Sequence, residues 1–258
     1  MSGVAQELDA DLERRFGGLR RLHGEADYAR LRALRVAVVG VGGVGSWAAE
    51  ALARSGVATL VLIDLDQVAE SNINRQIQAL GATVGQAKVQ ALAERITDIH
   101  PGCRVLQVEE FVEPGNWPAL LPEPVDVLID ACDQVKAKAV LAAWGRTVGV
   151  PVVCCGAAGG KRQPQRLEVD DLSAVTHDPL LASLRNRLRR EHDAPRQGRI
   201  GLRCVFSRES VAPPADGVAC DSDGSLNCHG YGSSVMVTAA MGMTAAAEAV
   251  ACALAQRR

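Results

Sequence analysis

Residues 35–66 read RVAVVGVGGVGSWAAEALARSGVATLVLIDLD. An apolar run ends in glycines, an Ala-rich segment with helix-forming composition follows, and a second apolar run ends in an acid. The order is strand, tight turn, helix, strand. The turn is Gly40, Val41, Gly42, Gly43, Val44, Gly45, Ser46. Gly40 and Gly42 permit backbone angles and a close approach that a Cβ would block. Gly45 lets the helix pack near the strand, and the helix N-terminus offers free N–H groups to phosphate oxygens. Asp64, at the end of the second strand, can accept hydrogen bonds from ribose hydroxyls. On these residues alone NAD and ATP fit equally well, and a tight structural turn is the plain alternative.

Working outward, DQVAESNINRQ (66–76) has neither a long periodic run nor a turn cluster. It reads as a polar loop or short helix beside the carboxyl ends of the strands, where open α/β sheets bind ligands. Asn72 and Arg75 can bind phosphate there, Arg75 through a forked and permanently charged donor set. VGQAKVQALAERITDIHP (84–101) has helical spacing at Val89, Leu92 and Ile96 and stops before Pro101. Lys88 falls in its first turn, an unfavourable place for a cation that a bound triphosphate would offset. CRVLQVEEFV (103–112) reads as a strand, and VDVLIDACD (125–133) as an apolar strand closing on Asp130 and Asp133. An acid there can hold Mg²⁺ against phosphate oxygens. Asp133 as the N-cap of the helix from Gln134 to Val148 is the rival reading.

PVVCCGAAGG (151–160) is a further buried strand ending in glycines, with Cys154 and Cys155 read as small core residues. RLEVDDLSAV (166–175) has strand character of antiparallel type. HDPLLASLRNRLRREHDAPRQGR (177–199) concentrates arginines, among them Arg185, Arg189 and Arg190. Such a run is either a solvated helix face or a polyanion contact. LRCVFSRES (202–210) reads as a strand, and 211–234 as a long Gly-, Ser- and Asp-rich loop that carries Cys228 and His229, with Cys228 a candidate thiol nucleophile. The last apolar segment, VMVTAAMGMTAAAEAVACALA, is about as long as a membrane span, but it is Ala-rich and interrupted by Thr238, Thr244 and Glu248. A helix packed into the sheet or a dimer interface is favoured over an integral membrane span.

The 258 residues can bury a sizeable core, and the composition, 48% hydrophobic and 22% charged, is that of a soluble globule. A formal net charge of -2 gives no global attraction to nucleic acid or membrane, so any RNA contact must come from a local patch. The charged N-terminus lacks the apolar core of a secretory signal, and the expected location is cytoplasmic. None of the eight cysteines is spaced C-x-x-C, which excludes a zinc site built from paired motifs. The expected architecture is α/β. It is a Rossmann-like, doubly wound, mostly parallel sheet with some antiparallel strands. A helical arm spans 1–33, the nucleotide-binding core 34–160, and a C-terminal part of the same domain 161–258.

GVGGVGS, LIDLD, SNINRQ, the KV of VGQAKV and DACD occur in that order, and through them the chain resembles the ubiquitin-activating-enzyme-like superfamily. That superfamily includes the adenylyltransferases of thiamine and molybdopterin biosynthesis. The resemblance implies the adenylation fold of that group, ATP with Mg²⁺, and attack of a substrate carboxylate on the α-phosphate. It implies that Gly40, Gly42, Gly43, Gly45 and the loop amides hold phosphates and that Asp64 holds the ribose. Asp66, Ser71, Asn72, Arg75 and Lys88 complete the nucleotide-binding set, and Asp133 assists the metal. Arg75, Lys88 and Asp133 become catalytic candidates, joined by Arg15 as an arginine reaching across a dimer.

RRFGG with RLHG, DPLLASLR with LRREH, and CVFSRE are similar to one branch of that superfamily, the tRNA threonylcarbamoyladenosine dehydratases. This second resemblance covers nearly the whole chain. It implies ATP-dependent cyclisation of the modified adenosine next to the anticodon: adenylation of the threonyl carboxylate, then closure with loss of AMP and, in net terms, water. It further implies a homodimer, tRNA contacts by Arg185, Arg189 and Arg190, a cysteine desulfurase and its sulfur-acceptor protein as partners, and room for a monovalent cation. Three other readings stay open. One is an adenylyltransferase acting on the C-terminal glycine of a sulfur-carrier or ubiquitin-like protein. Another is an NAD-dependent oxidoreductase, against which the SNINRQ and Lys88 shell argues. The third is a nucleotide-sensing scaffold.

Overall fold

In the computed structural model, which describes residues 11–212 and 231–256, the first crossover is the one the sequence predicts. Strand β1 (Arg35–Val39) leads through the glycine turn into helix α4 (Gly45–Arg54) and back to β2 (Thr59–Ile63), parallel to β1. Helix α5 (Lys88–Ile99) then returns the chain to β3 (Arg104–Val108), and β4 (Val127–Asp130) pairs on the other side of β1. Helix α6 (Val135–Val148) leads to β5 (Val152–Cys155). Next come β6 (Leu167–Asp171), helix α7 (Pro179–Glu191), β7 (Arg203–Ser207) and helix α8 (Val235–Ala255). The sheet runs β3, β2, β1, β4, β5, β7, β6, with only the β6–β7 pair antiparallel. The chain order reverses between β1 and β4, so the crevice for a ligand opens at the end of β1, where the glycines lie.

The inner strands β1, β2, β4 and β5 are nearly continuous apolar runs because helices cover both faces. Val36 and Val38 of β1 face α4, α5 and α8; Ala37 and Val39 face α6 and α7. β3 is shorter than the sequence suggests, and beyond Val108 the chain leaves the sheet through the exposed Glu109 and Glu110.

Helix α8 is the one described helix long and apolar enough to cross a membrane. Its composition serves close packing. A Cβ on Gly242 would collide with the Val44 carbonyl and stand 2.8 Å from the Trp47 Cβ, so α8 crosses directly over the start of α4.

The N-terminal arm is helical at 11–16 (α1) and over α2 (Gly18–His23) and α3 (Glu25–Ala33). Buried Phe16 pins it, tilted against the His100 ring at 4.6 Å with the Arg32 guanidinium 4.8 Å above its own ring. Arg32 also donates to the Gly56 carbonyl and approaches His100 Nε2 at 3.1 Å, a contact that requires a neutral imidazole accepting there. Burial, with the Arg32 charge beside it, pushes His100 down to about 4. The folded chain therefore refuses a proton that the unfolded chain accepts near pH 6.5. Stability should be flat above that pH and lost as pH falls towards 4. Urea denaturation should show about 2 kcal/mol less stability at pH 5 than at pH 7 from this residue, and His100→Gln should remove that part of the slope.

Candidate active site

Three segments converge at the carboxyl end of β1. The first is the glycine turn. Gly40 has φ +81°, and a Cβ there would lie 2.9 Å from the Ala131 carbonyl carbon and the Cys132 nitrogen. A Cβ on Gly45 would overlap the Gly40 carbonyl oxygen. These two glycines are required by the protein itself. Gly42 is different: its φ is not positive, and the nearest atom to an added Cβ is Gln76 Nε2 at 3.8 Å. A side chain would fit over Gly42, touching Gln76, beside the first turn of α4, whose N-cap Val44 supplies no side-chain cap. A helix start without a side-chain cap suits an anion.

The second segment begins at Asp64. Its buried carboxylate accepts from Val41 N–H at 2.8 Å and from Asp66 N–H at 2.9 Å. It shapes the turn, and each oxygen keeps a further lone pair for a hydroxyl. Burial raises its pKa, and the charge on Lys88 works against that rise. Lys88 begins α5 and is itself buried, with Nζ 2.6 Å from Asp66 Oδ2. That pair corrects the account of Lys88 drawn from the sequence: half-exposed Asp66, whose carbonyl also accepts from Lys88 N–H, offsets the unfavourable helix position without a ligand. Asn72 is buried and accepts from Ala69 N–H at 3.1 Å, capping its own short 3-10 turn. Arg75 donates through Nη1 to the Ser71 carbonyl at 2.6 Å and to Asn74 Oδ1 at 2.9 Å, and its stem runs beside Gly43. The Arg75 carbonyl accepts from Trp47 Nε1 and from Thr238 Oγ1, which ties α4, α8 and this loop together.

Sequence reasoning missed Gln76, Gln78, Thr238 and Gly242. Gln78 is buried, donates to the Val41 carbonyl at 2.8 Å, and leaves its own Oε1 without a partner. The only sequence signal for Gln76 and Gln78 was the glutamine that ends SNINRQ followed by a second one two residues later.

The third segment follows β4. Asp130 is fully buried and pairs with Lys138 Nζ at 3.1 Å, while Lys138 also donates to the Cys155 carbonyl at 2.8 Å. Burial alone would discharge Lys138, but the facing Asp130 carboxylate holds its pKa well above the ordinary value. Cys154 and Cys155 are buried core thiols pushed upward by burial, Cys155 to about 12. Asp133 lies two residues past Ala131, which packs on Gly40. The reading of Asp133 as an N-cap fails, since α6 is capped at Gln134 and without a side-chain bond. Asp133 is half-buried, on the loop that borders the turn. Among the described residues no group of three metal-ligating side chains occurs. A single carboxylate still suits Mg²⁺, which takes one or two from protein and the rest from phosphates and water.

Two other expectations change. Arg15 pairs with Asp11 at 2.7 Å and donates to the Asp98 and Ile99 carbonyls, capping the end of α5. It lies roughly 16 Å along that helix from Lys88, so within its own chain it is not brought to the site. Arg185 is half-buried and donates to the Leu172 and Val175 carbonyls, whereas Arg189 and Arg190 sit further along the outer face of α7. Cys228 and His229 lie outside the described residues.

The sequence matches the ThiF family over residues 14–257. The chain belongs to the ThiF family. Within it, the chain is 43% identical over 246 residues to the tRNA threonylcarbamoyladenosine dehydratase of Escherichia coli K12, covering 92% of each. The crystal structure of the E. coli dehydratase TcdA in complex with ATP matches at a TM-score of 0.85 and 41% identity, over 94% of this chain and 95% of that one. Its complex with AMP matches equally well, at a TM-score of 0.85. The ThiF-family adenylation fold is thus the fold of this chain, as the five motifs imply.

Two substitutions separate architecture from binding. Gly45→Ala should destabilise the chain by several kcal/mol because the Gly40 carbonyl cannot move aside. Gly42→Ala should leave the thermal midpoint within a few degrees of wild type but weaken ATP binding at least about tenfold, read by calorimetric titration. Lys138→Met should cost about 3–5 kcal/mol in chemical denaturation, since it leaves the Asp130 charge buried and unpaired.

Proposed function

We propose that this protein is an ATP-dependent dehydratase of threonylcarbamoyladenosine in tRNA. The observation that carries the reading is the glycine turn at the end of β1, with room over Gly42, a start of α4 that has no side-chain cap, Asp64 bonded to Val41 of the turn, and the Arg75 stem beside Gly43. It occurs in a chain that shares its fold and about two-fifths of its residues with a dehydratase of that name.

ATP binds as substrate, with its phosphates over the glycine turn and its ribose towards Asp64. The threonyl carboxylate attacks the α-phosphate; the bond to pyrophosphate breaks, and the leaving group takes the electron pair. In this reading Lys88 and Arg75 face the negative charge that grows on the phosphates; Asp66 holds Lys88, and the Ser71 carbonyl and Asn74 Oδ1 hold Arg75, so little reorganisation is needed as the charge shifts. The acyl adenylate is a good electrophile because AMP can leave. The carbamoyl group of the same nucleoside closes the ring on the acyl carbon and AMP departs with the electron pair. The nucleoside loses one water in net terms, and ATP becomes AMP and pyrophosphate. Asp133 would hold Mg²⁺, which supplies further charge neutralisation on the phosphates when bound. A monovalent cation remains compatible with this reading. The enzyme works as a cytoplasmic homodimer, with Arg15 the candidate to cross between subunits, and a cysteine desulfurase with its sulfur acceptor is the proposed protein partner.

The test is to incubate the protein with ATP, Mg²⁺ and tRNA carrying threonylcarbamoyladenosine, and to examine the digested nucleosides by mass spectrometry. Loss of one water with AMP formed alongside is the expected result. An unchanged nucleoside, with ATP bound and a control dehydratase active on the same tRNA, would sink the reading. Lys88→Ala and Arg75→Ala should each slow the reaction at least about 100-fold.

A further inference from the structure

We propose that the outer face of α7 is a track for the substrate RNA. The cleft at its amino end receives the purine of the modified nucleoside, and the arginine cleft near its carboxyl end holds the flanking phosphate backbone. The inference rests on the RNA-modifying reading above and adds where the RNA lies and in which direction it runs.

Helix α7 buries Leu180, Leu181, Leu184 and Leu188 and turns Ala182, Arg185, Asn186, Arg189 and Arg190 outward. The outward residues are spaced by three and four, so they form one stripe. Both ends of that stripe open into clefts. At the amino end a cleft of about 410 Å³ is lined by Thr176, His177, Ala182, Arg185, Ser210 and Val211, among others. At the carboxyl end a cleft of about 510 Å³ is lined by Asn186, Arg189, Arg190 and Arg196. From Ala182 to Arg190 the helix rises roughly 12 Å, the axial length of about three stacked nucleotides at 3.4 Å each.

The amino-end cleft stands at the same end of the sheet as the glycine turn. Asp178 caps α7 through Leu181 N–H at 3.0 Å and also accepts from Ala157 N–H at 2.9 Å, which fixes the helix start to the loop after β5. β5 is two strands from β1 in the sheet, so this loop lies roughly 10 Å from the end of β1. A nucleoside base seated there leaves its threonylcarbamoyl arm to reach the space over Gly42. His177 is exposed at the mouth of the cleft with φ +58°, a left-handed conformation uncommon for a residue other than glycine. The Asp178 cap follows it directly, and its Nδ1 lies 2.9 Å from Thr176 Oγ1. A fixed and exposed imidazole suits stacking on a base. Arg185 is anchored by Nη1 to two carbonyls, so the rest of its guanidinium lines the cleft in a set position.

The carboxyl-end cleft carries the charge. Arg187 and Arg190 share one carboxylate, Glu191. Arg189 bonds only a carbonyl, at Pro195, and Arg196 has no acidic partner among the described residues, so both keep their charge for phosphate. In a chain of net charge -2 this is local complementarity to a polyanion.

The experiment measures binding of an RNA stem-loop that bears threonylcarbamoyladenosine next to its anticodon, by fluorescence anisotropy across a range of salt. The variants are His177→Asn, His177→Phe and the double Arg189→Ala, Arg196→Ala, with ATP affinity as the control for an intact fold. Asparagine tolerates the left-handed backbone but cannot stack, so His177→Asn should weaken binding about tenfold, and His177→Phe should restore it. The double variant should lower the slope of log affinity against log salt by about 1.5. Unchanged affinity in His177→Asn, or an unchanged salt slope in the double variant, overturns the track. If the wild-type chain binds the RNA through these residues yet leaves the nucleoside unaltered, the dehydratase reading fails and the track stands.

Discussion

A carbonyl oxygen that leaves no room for a side chain governs this structure. The Gly40 carbonyl occupies the place a Cβ on residue 45 would take, so the first turn of α4 lies against the end of β1 with only backbone between them. That contact fixes the start of α4, which has no side-chain cap, beside Gly42. Everything near it keeps the geometry. Asp64 holds Val41 from below through its N–H, Gln78 holds the same residue through its carbonyl, and Thr238 and Gly242 of α8 press on Gly43 and Val44 from above. The site is strong in donors because the turn cannot relax around them.

Two fully buried ion pairs extend this rigidity along the strand ends. Lys138 joins Asp130 to the Cys155 carbonyl, bracing β4 against β5, and Lys161 lies 3.6 Å from Asp178 while donating to the Ser207 carbonyl of β7. Neither pair faces solvent, and hydrophobic replacements of equal volume could well match their stability. Their effect is positional. They fix where the loops after β4, β5 and β7 leave the sheet: the first carries Asp133 beside the glycine turn, the second carries Ala157 against the Asp178 cap, and the third brings Ser210 to the cleft at the amino end of α7.

The crossover from β1 to β2 was legible in the sequence because its signals are local: apolar runs, glycines at the turn and an acid at the second strand end. The antiparallel strand at 167–171 was legible for the same reason, and the packing of α8 on the sheet was legible in its alanines and threonines. What escaped depends on contacts between distant segments. No spacing rule joins Lys88 to Asp66, Gln78 to Val41 or Gly242 to Val44. Arg185 was read by its charge alone, although it meets carbonyls ten and thirteen residues earlier in the chain. Arg15 likewise looked free in the sequence, yet it caps a helix that ends more than eighty residues later.

The position of α8 sets an order on how the site can come into being. The glycine turn is made within the first fifth of the chain, but the residues that press on it from above, Thr238 and Gly242, belong to the last helix. A chain emerging from the ribosome can form β1, α4 and β2 early through short-range contacts. It cannot close the roof of the turn until α8 has been made and has cleared the exit tunnel. The nucleotide cradle of the nascent protein therefore stays half built until α8 arrives, and competence to bind comes with that helix rather than with the turn itself.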